Sequence, residues 1–365
     1  MRAIVTGQVG MDKKQYLQRV AEAAAAHGDS LPLYHVGDRM YAEAGDVKAG
    51  RILDLPLSRL NGLRRSVLKD ILTESEGQAH AVLNTHATFR WRHGLFAAFD
   101  FDQLKAFKPD CVICLVDNIE VVRHRLLREH VLDVTLKDLM VWREEEIMAS
   151  ELLAQALGIP NQFYVLSRGR HGETVETCRR LVCCPGMKKV YPSFPMTHVA
   201  RMPQVLQVID GFRAELAKRF IAFDPADVDE KLLLDAAIAA ARGEEGKRDF
   251  VETEAGSFSG GAEAIRVPVK QVLDIAGDID GQIYARDFKM VRQSDMIVSL
   301  VPELADGSPG LSSGVERELQ HAFDHGRDVF VVWLPKKSPS PFITETATRV
   351  FKSVDEAMAW FDGAK

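Results

Sequence analysis

The chain has 365 residues, long for a single core and sufficient for two domains. Apolar residues make up 46% and charged residues 27%, a balance that excludes collagen-like, coiled-coil and disordered chains. The formal net charge of −6 removes the electrostatic case for non-specific binding to nucleic acid or to a membrane surface. Cys111, Cys114, Cys178, Cys183 and Cys184 are an odd number in a long chain, and the expectation is reduced thiols in a cytoplasmic protein. The longest apolar runs, 296–301 and 329–334, are strand-sized, so no membrane span is expected. Met1-Arg2 is followed directly by the strand-like Ala-Ile-Val-Thr-Gly, and the expectation is that no signal peptide is present.

Strand and helix patterns alternate in both halves, which predicts α/β architecture with parallel sheets. In the first half the pattern predicts strands at 3–5, 33–36, 79–84 and 111–116. Helices are predicted at 13–26, through 123–129, and at 136–157, where Arg143, Glu144, Glu145 and Glu146 read as a solvated face. Cys184-Pro185-Gly186 punctuates the chain, and the second half then reads strand 189–194, helix 202–220, strand 221–224 and helix 227–242. Residues 243–264 are polar and Gly-rich and read as a long loop. Strand 265–269, helix 281–294, strand 296–301, helix 314–325 and strand 328–334 follow. Ser353-Val-Asp-Glu356 is a capping box that opens the last helix. Domain boundaries are placed at 1–184 and 187–365.

Gly7-Gln-Val-Gly10-Met-Asp12-Lys13-Lys14 lies between a strand and a helix, where backbone N–H groups and the positive helix end cradle phosphates. A complete P-loop has Gly where this chain has Asp12, and Ser or Thr where it has Lys14; the hydroxyl that helps hold Mg²⁺ is therefore missing. Asp12 puts negative charge where polyphosphate would lie, and Lys14 offers positive charge in place of a metal. With Tyr34 to Met40 and Thr85-His86-Ala-Thr88, the loop resembles the archaeal-type adenylate kinases, a branch of the nucleoside monophosphate kinases. The resemblance spans about 1–170. It implies a pocket for ATP or another nucleotide near the P-loop, built from Gly7, Gly10, Lys13, Lys14, Asp38, Arg65, Thr85 and His86. The family has Asp where this chain has Asn84, and the arginine-rich lid after Arg125 is thin, with Leu132-Asp133-Val134-Thr135 there instead. These departures favour a degenerate kinase-like domain that binds nucleotide over a working kinase.

In the second half Tyr191-Pro-Ser-Phe-Pro195 ends a strand, where α/β folds hold ligands. Asp287 stands eight residues before Asp295, which opens the next strand. Ser312-Ser313-Gly314 begins a helix that carries Glu318 about one turn in, so an anion at the helix end and the carboxylate can meet on one sugar. This pattern resembles the nucleoside 2-deoxyribosyltransferase superfamily over about 187–340, and within it the 2′-deoxynucleoside 5′-phosphate N-hydrolases. The resemblance implies Glu318 as the carboxylate nucleophile, since Leu319 and Ala322 follow it as in the family, and Asp287 as the second catalytic acid. It implies substrate contacts from Tyr191, Pro195, Ser312, Ser313 and Gly314. Ser312 stands where the transferases carry an acidic residue, and its neutrality admits a 5′-phosphate.

The expectation is a glycosidase that releases free base from nucleoside 5′-monophosphates, needs no metal or cofactor for that step, and works as a homo-oligomer on small-molecule nucleotides. A deoxyribosyltransferase, an active nucleotide kinase and a non-catalytic nucleotide sensor are the alternatives. Cys111-x-x-Cys114 lies in an apolar strand and reads as buried thiols, not as a metal site. Asp295 reads as structural, and His86 and His198 as lone histidines near the sites.

Overall fold

The computed structural model describes residues 1–48, 50–91, 94–130, 134–169, 174–196, 199, 202–243, 248–255 and 263–363. His198, Leu132 and Asp133, and most of the Gly-rich part of 243–264, lie outside the described residues.

The strands in chain order are β1 (Arg2–Thr6), β2 (Leu33–His35), β3 (Ala81–Asn84), β4 (Thr88–Trp91), β5 (Gly94–Ala97), β6 (Cys111–Val116), β7 (Phe163–Ser167), β8 (Lys189–Ser193), β9 (Ile221–Ala222), β10 (Phe250–Ala255), β11 (Glu263–Pro268), β12 (Met296–Val301), β13 (Asp328–Trp333) and β14 (Arg349–Phe351). They build two parallel five-stranded sheets, ordered β2-β3-β1-β6-β7 and β14-β13-β12-β8-β9, and two antiparallel ribbons, β4-β5 and β10-β11. The protein is therefore α/β with two parallel sheets. β6 is buried at all six positions, and β12 likewise, which is why both read in sequence as unbroken apolar runs.

The chain forms two compact units. The first comprises Met1–Pro185 and Asp227–Gln282, and the second Gly186–Ala226 and Ile283–Lys365. The segment Asp227–Gln282 therefore groups with the first unit, although the sequence assigns it to a second domain. The reason is local. Val228 enters the apolar cluster that holds Ile4, Leu83 and Val112, and the buried Glu230 carboxylate pairs with the buried Arg143 guanidinium. Glu263 of β11 pairs with His124 and Arg128 at 3.1 and 3.0 Å.

Several expectations change. Residues 243–264 are not a plain loop, since they contribute to the β10-β11 ribbon, in which Val251 faces Val267 and Thr253 faces Ile265. The strand expected at 265–269 belongs to that ribbon and to neither parallel sheet. The helix expected at 227–242 starts at Lys231, after a 3-10 turn at Pro225–Asp227. Arg143 and Glu146 are not solvated; they are 3% and 1% exposed on the inner stripe of helix Leu136–Ala156. The last helix opens on the expected cap, with the Glu356 N–H donating to Ser353 Oγ at 3.1 Å, but the Glu356 carboxylate accepts from the Lys352 N–H.

The second unit's order, read from its other edge, is β9-β8-β12-β13-β14. The strand sequence runs outward one way from β8 and the other way from β12, so the switch point lies between β8 and β12. Ligands of open α/β sheets bind in the crevice beyond the strand ends at such a point.

Candidate functional site

In the first unit β1 runs into the Gly-rich turn and helix Lys13–Ala26. Gly7 (φ +142°) and Gly10 (φ +86°) must be glycine, because a Cβ would come within 2.8 Å of the Leu115 carbonyl oxygen and of Leu126 Cγ respectively. The turn is stitched to the protein by its own side chains. Lys13 Nζ, 6% exposed as a residue, donates to the Gly7 carbonyl at 2.6 Å and lies 3.1 Å from His86 Nδ1. Burial pulls the Lys13 ammonium down to about 8, against the attraction of Glu146. Burial and the Lys13 charge hold His86 well below the usual imidazole range.

Glu146 answers the turn from the opposite side. Its carboxylate accepts from the Gly7 N–H at 3.0 Å, from the Ala87 and Thr88 N–H groups at 2.8 Å each, and from the Thr88 hydroxyl. An internal carboxylate thus takes a donor at the start of the phosphate turn. Asp12, expected to carry an open negative charge, is paired with the buried Arg168 at 3.1 Å. Lys14 is not a free counter-charge, since it pairs with Asp38 at 2.6 Å on the surface. Asn84 Nδ2 lies 2.9 Å from His35 Nδ1. Thr85 is buried, and its N–H donates to the Val5 carbonyl.

Arg65 is exposed and holds Asp100 at 2.8 Å. Its neighbour Arg64 is 2% exposed and lines, with Asn61, Arg65, Phe96, Phe99 and Asp100, a cavity of about 380 Å³. Arg64 Nη1 donates to Asn61 at 2.9 Å, while Nη2 is buried without a hydrogen-bond partner among the described residues. Burial brings this guanidinium down to about 10. The adenylate-kinase resemblance puts the Arg64–Arg65 region at the expected pocket, and the spacing of Arg64 from Leu60, Val67 and Ile71 puts it on the buried stripe of helix Leu57–Glu74.

The second unit brings Tyr191, Asp287 and Glu318 together at the end of β8. Tyr191 and Ser193 alternate on β8, so both side chains leave the same face. The Tyr191 hydroxyl donates to Glu318 Oε1 at 3.0 Å, and the Ser193 hydroxyl donates to Glu318 Oε2 at 2.6 Å. Tyr191 and Ser193 are each 0% exposed. Burial pushes the Glu318 carboxyl up to about 8; the nearby Asp287 carboxylate adds to the rise, and the two hydroxyls oppose it. Burial and the same two carboxylates hold the Tyr191 phenol well above its usual range. Asp287 sits on helix Ala276–Gln293, with Arg286 Nε 3.9 Å from its Oδ1.

Ser312 is the N-cap of helix Ser313–Asp324, where its Oγ accepts from the Val315 N–H at 3.2 Å. Ser313 and Gly314 are exposed in the first turn, whose N–H groups have no intrahelical partner. Pro195 is buried just beyond β8. A surface cavity of about 370 Å³ borders Ser313, Arg317 and the exposed Phe342, but Glu318 does not line it. Ser193 was missed in sequence, although its spacing of two from Tyr191 was the available signal. Asp295 accepts from the Lys189 N–H at 2.8 Å, tying β8 to the start of β12. All five cysteines are free, and Cys111 and Cys114, three apart on β6, face opposite sides of the sheet. No helix among the described residues is long and apolar enough to cross a membrane.

A family model described as an AAA domain matches residues 6–137. An adenylate kinase from Pyrococcus abyssi is 28% identical over 162 residues, which cover 43% of this chain and 77% of that one. The crystal structure of a shikimate kinase from Bacteroides thetaiotaomicron covers 49% of this chain and 94% of its own, at 14% identity and a TM-score of 0.32, a likeness that carries no weight. Residues 6–137 lie in the first unit, which carries a P-loop kinase-like domain. The parallel sheet of the second unit is unassigned.

Proposed function

We propose that the second unit hydrolyses the N-glycosidic bond of nucleoside 5′-monophosphates, and that the P-loop kinase-like unit binds a nucleotide without transferring phosphoryl groups. One observation carries the first part: an inward-facing glutamate carboxyl, clamped by two buried hydroxyls beside a second carboxylate, at the switch point of a parallel sheet. A half-buried carboxyl with a raised pKa and a charged carboxylate partner is the pairing that two-carboxyl glycoside chemistry uses.

The Glu318 carboxylate attacks C1′, and the C1′–N bond breaks with its electron pair leaving on the base. The proton that Glu318 holds at rest passes to Asp287 as the substrate enters, so that Glu318 attacks in its ionised form and Asp287 donates the proton to the leaving nitrogen. Water then attacks C1′ as Asp287 takes its proton, and the C1′–Glu318 ester bond breaks to release the sugar phosphate. The first-turn N–H groups at Ser313 and Gly314 hold the 5′-phosphate at the positive end of the helix. Ser312 keeps that end free of negative charge, which favours a phosphorylated substrate over a nucleoside.

The first unit is read as a binder because the parts that serve transfer are replaced or engaged. Lys14 stands where a metal-holding hydroxyl is needed, Asn84 where a carboxylate is needed, and Glu146 occupies the Gly7 N–H. The cavity at Arg64 offers a buried cationic donor to a phosphate and phenyl rings to a base.

The test is chromatography of ribo- and 2′-deoxyribonucleoside 5′-monophosphates after incubation with the wild type and Glu318→Gln. Free base is expected from the wild type, and its rate should fall by about 10³-fold or more in the variant. Equal release from both removes Glu318 from the reaction. Base exchange on adding a second free base, with no sugar phosphate formed, would make the protein a transferase. Conversion of ATP and a monophosphate to diphosphates would overturn the reading of the first unit.

A further inference from the structure

We propose that Ser193 is a positioning residue that anchors the non-attacking oxygen of Glu318 and speeds release of the sugar from the enzyme. The inference rests on the glycosidase reading. Glu318 has two oxygens and two hydroxyl partners, and the two bonds are unequal. The Ser193 bond to Oε2, at 2.6 Å, falls in the range of charge-assisted O–H···O bonds, while the Tyr191 bond to Oε1, at 3.0 Å, is at the long end. Ser193 is fully buried on a strand hydrogen-bonded along its length to β12, where Ser299 is its register partner. A one-torsion side chain on such a backbone holds its hydroxyl still. Oε1, the more loosely held oxygen, is therefore the one left to attack.

The consequence differs between the two steps. When Oε1 forms the ester with C1′, Oε2 becomes a carbonyl oxygen and loses charge, so the Ser193 bond gains nothing in that transition state. When water displaces the sugar, the C1′–Oε1 bond breaks and its electron pair returns to the carboxylate. Charge then spreads back onto Oε2, and the Ser193 bond strengthens as the transition state forms. Ser193 accordingly assists the second step and leaves the first nearly unchanged.

Rapid-quench measurement of nitrophenol release by Ser193→Ala from a nitrophenyl glycoside 5-phosphate, whose leaving group needs no proton, tests this at a pH above the Glu318 titration of both proteins, where each begins ionised. The expected result is a burst about equal to the enzyme concentration at near wild-type rate, followed by turnover slowed about 10- to 100-fold. Ser193→Thr, which keeps the hydroxyl, restores turnover. Equal slowing of burst and turnover overturns the proposal, because that is what a merely structural serine would give.

A second readout does not need activity. The titratable groups facing Glu318 are Tyr191 from β8, which stays neutral, and Asp287 from helix Ala276–Gln293, while Asp224, after β9, acts on Tyr191. Because the Ser193 hydroxyl favours the ionised carboxyl, Ser193→Ala must raise the Glu318 titration seen by carboxyl NMR of glutamate-labelled protein. An unmoved titration refutes the clamp even if base is released. A raised titration in a protein that releases no base leaves the clamp standing, but overturns both its role in sugar release and the glycosidase reading.

Discussion

Glu318→Gln should stabilise the second unit, by an amount set by pH. The Glu318 carboxyl ionises near 8 in the folded protein and near its ordinary 4.5 in the unfolded chain. Between those values the folded state binds the extra proton, so raising the pH favours unfolding. Each pH unit across the window costs about 1.4 kcal/mol, which gives roughly 3 kcal/mol at pH 7 and about 5 kcal/mol above pH 8. Glutamine has the same shape, accepts from Tyr191 and donates to the Ser193 oxygen, and does not ionise. Urea unfolding of wild type and variant at pH 4, 6, 7 and 9 measures the difference. Trp333 and Trp360 lie in the second unit, so replacing Trp91 and Trp142 with phenylalanine confines the fluorescence signal to it. The gap should be near zero at pH 4, widen steadily to pH 8 and then level off. A gap that does not change with pH would refute the assignment of a protonated, half-buried Glu318.

Asp287→Asn removes the charge that helps raise Glu318, so the Glu318 titration should fall from about 8 toward 4.5. Base release should drop about 10²- to 10⁴-fold for natural bases, and far less for a nitrophenyl leaving group that needs no proton, as single-turnover kinetics would show. Arg64→Met removes a buried, half-satisfied guanidinium, and should raise the stability of the ligand-free protein by about 1–3 kcal/mol while abolishing any melting-temperature increase caused by inorganic phosphate or a nucleoside monophosphate. Glu146→Gln turns one acceptor oxygen toward backbone donors as an NH₂ group. It should cost about 2–4 kcal/mol in denaturant unfolding and lower the Lys13 titration further, because Glu146 is what opposes its fall.

The parallel strands could be read from the chain because a strand covered on both faces shows a run such as Cys-Val-Ile-Cys-Leu-Val or Met-Ile-Val-Ser-Leu-Val. The β10-β11 ribbon was legible only in part: Ile265-Arg266-Val267 alternates and gives the strand expected at 265–269, whereas Glu252-Thr253-Glu254 in the middle of β10 reads as loop. The Glu144 to Glu146 run looked solvated because charge was counted along the chain. Counted around the helix, Leu139, Arg143, Glu146 and Ser150 fall on one inward line. The same reasoning separates Arg64 from Arg65, which point about 100° apart on one helix. Glu318, Asp287 and Tyr191 were visible through spacing and resemblance. The hydroxyl clamp was not, because a serine two residues after a tyrosine in a strand has no distinct pattern until the helix bearing Glu318 is set beside it.

The excursion of residues Asp227–Gln282 into the first unit has a practical result. A gene truncated after Pro185 would strip Glu230 from Arg143 and leave an uncompensated guanidinium in an apolar interior. Starting instead at Gly186 would strand that same stretch without its docking partner. Neither unit can therefore be isolated by a single cut. Dissection calls for rejoining the stretch to the piece that it completes.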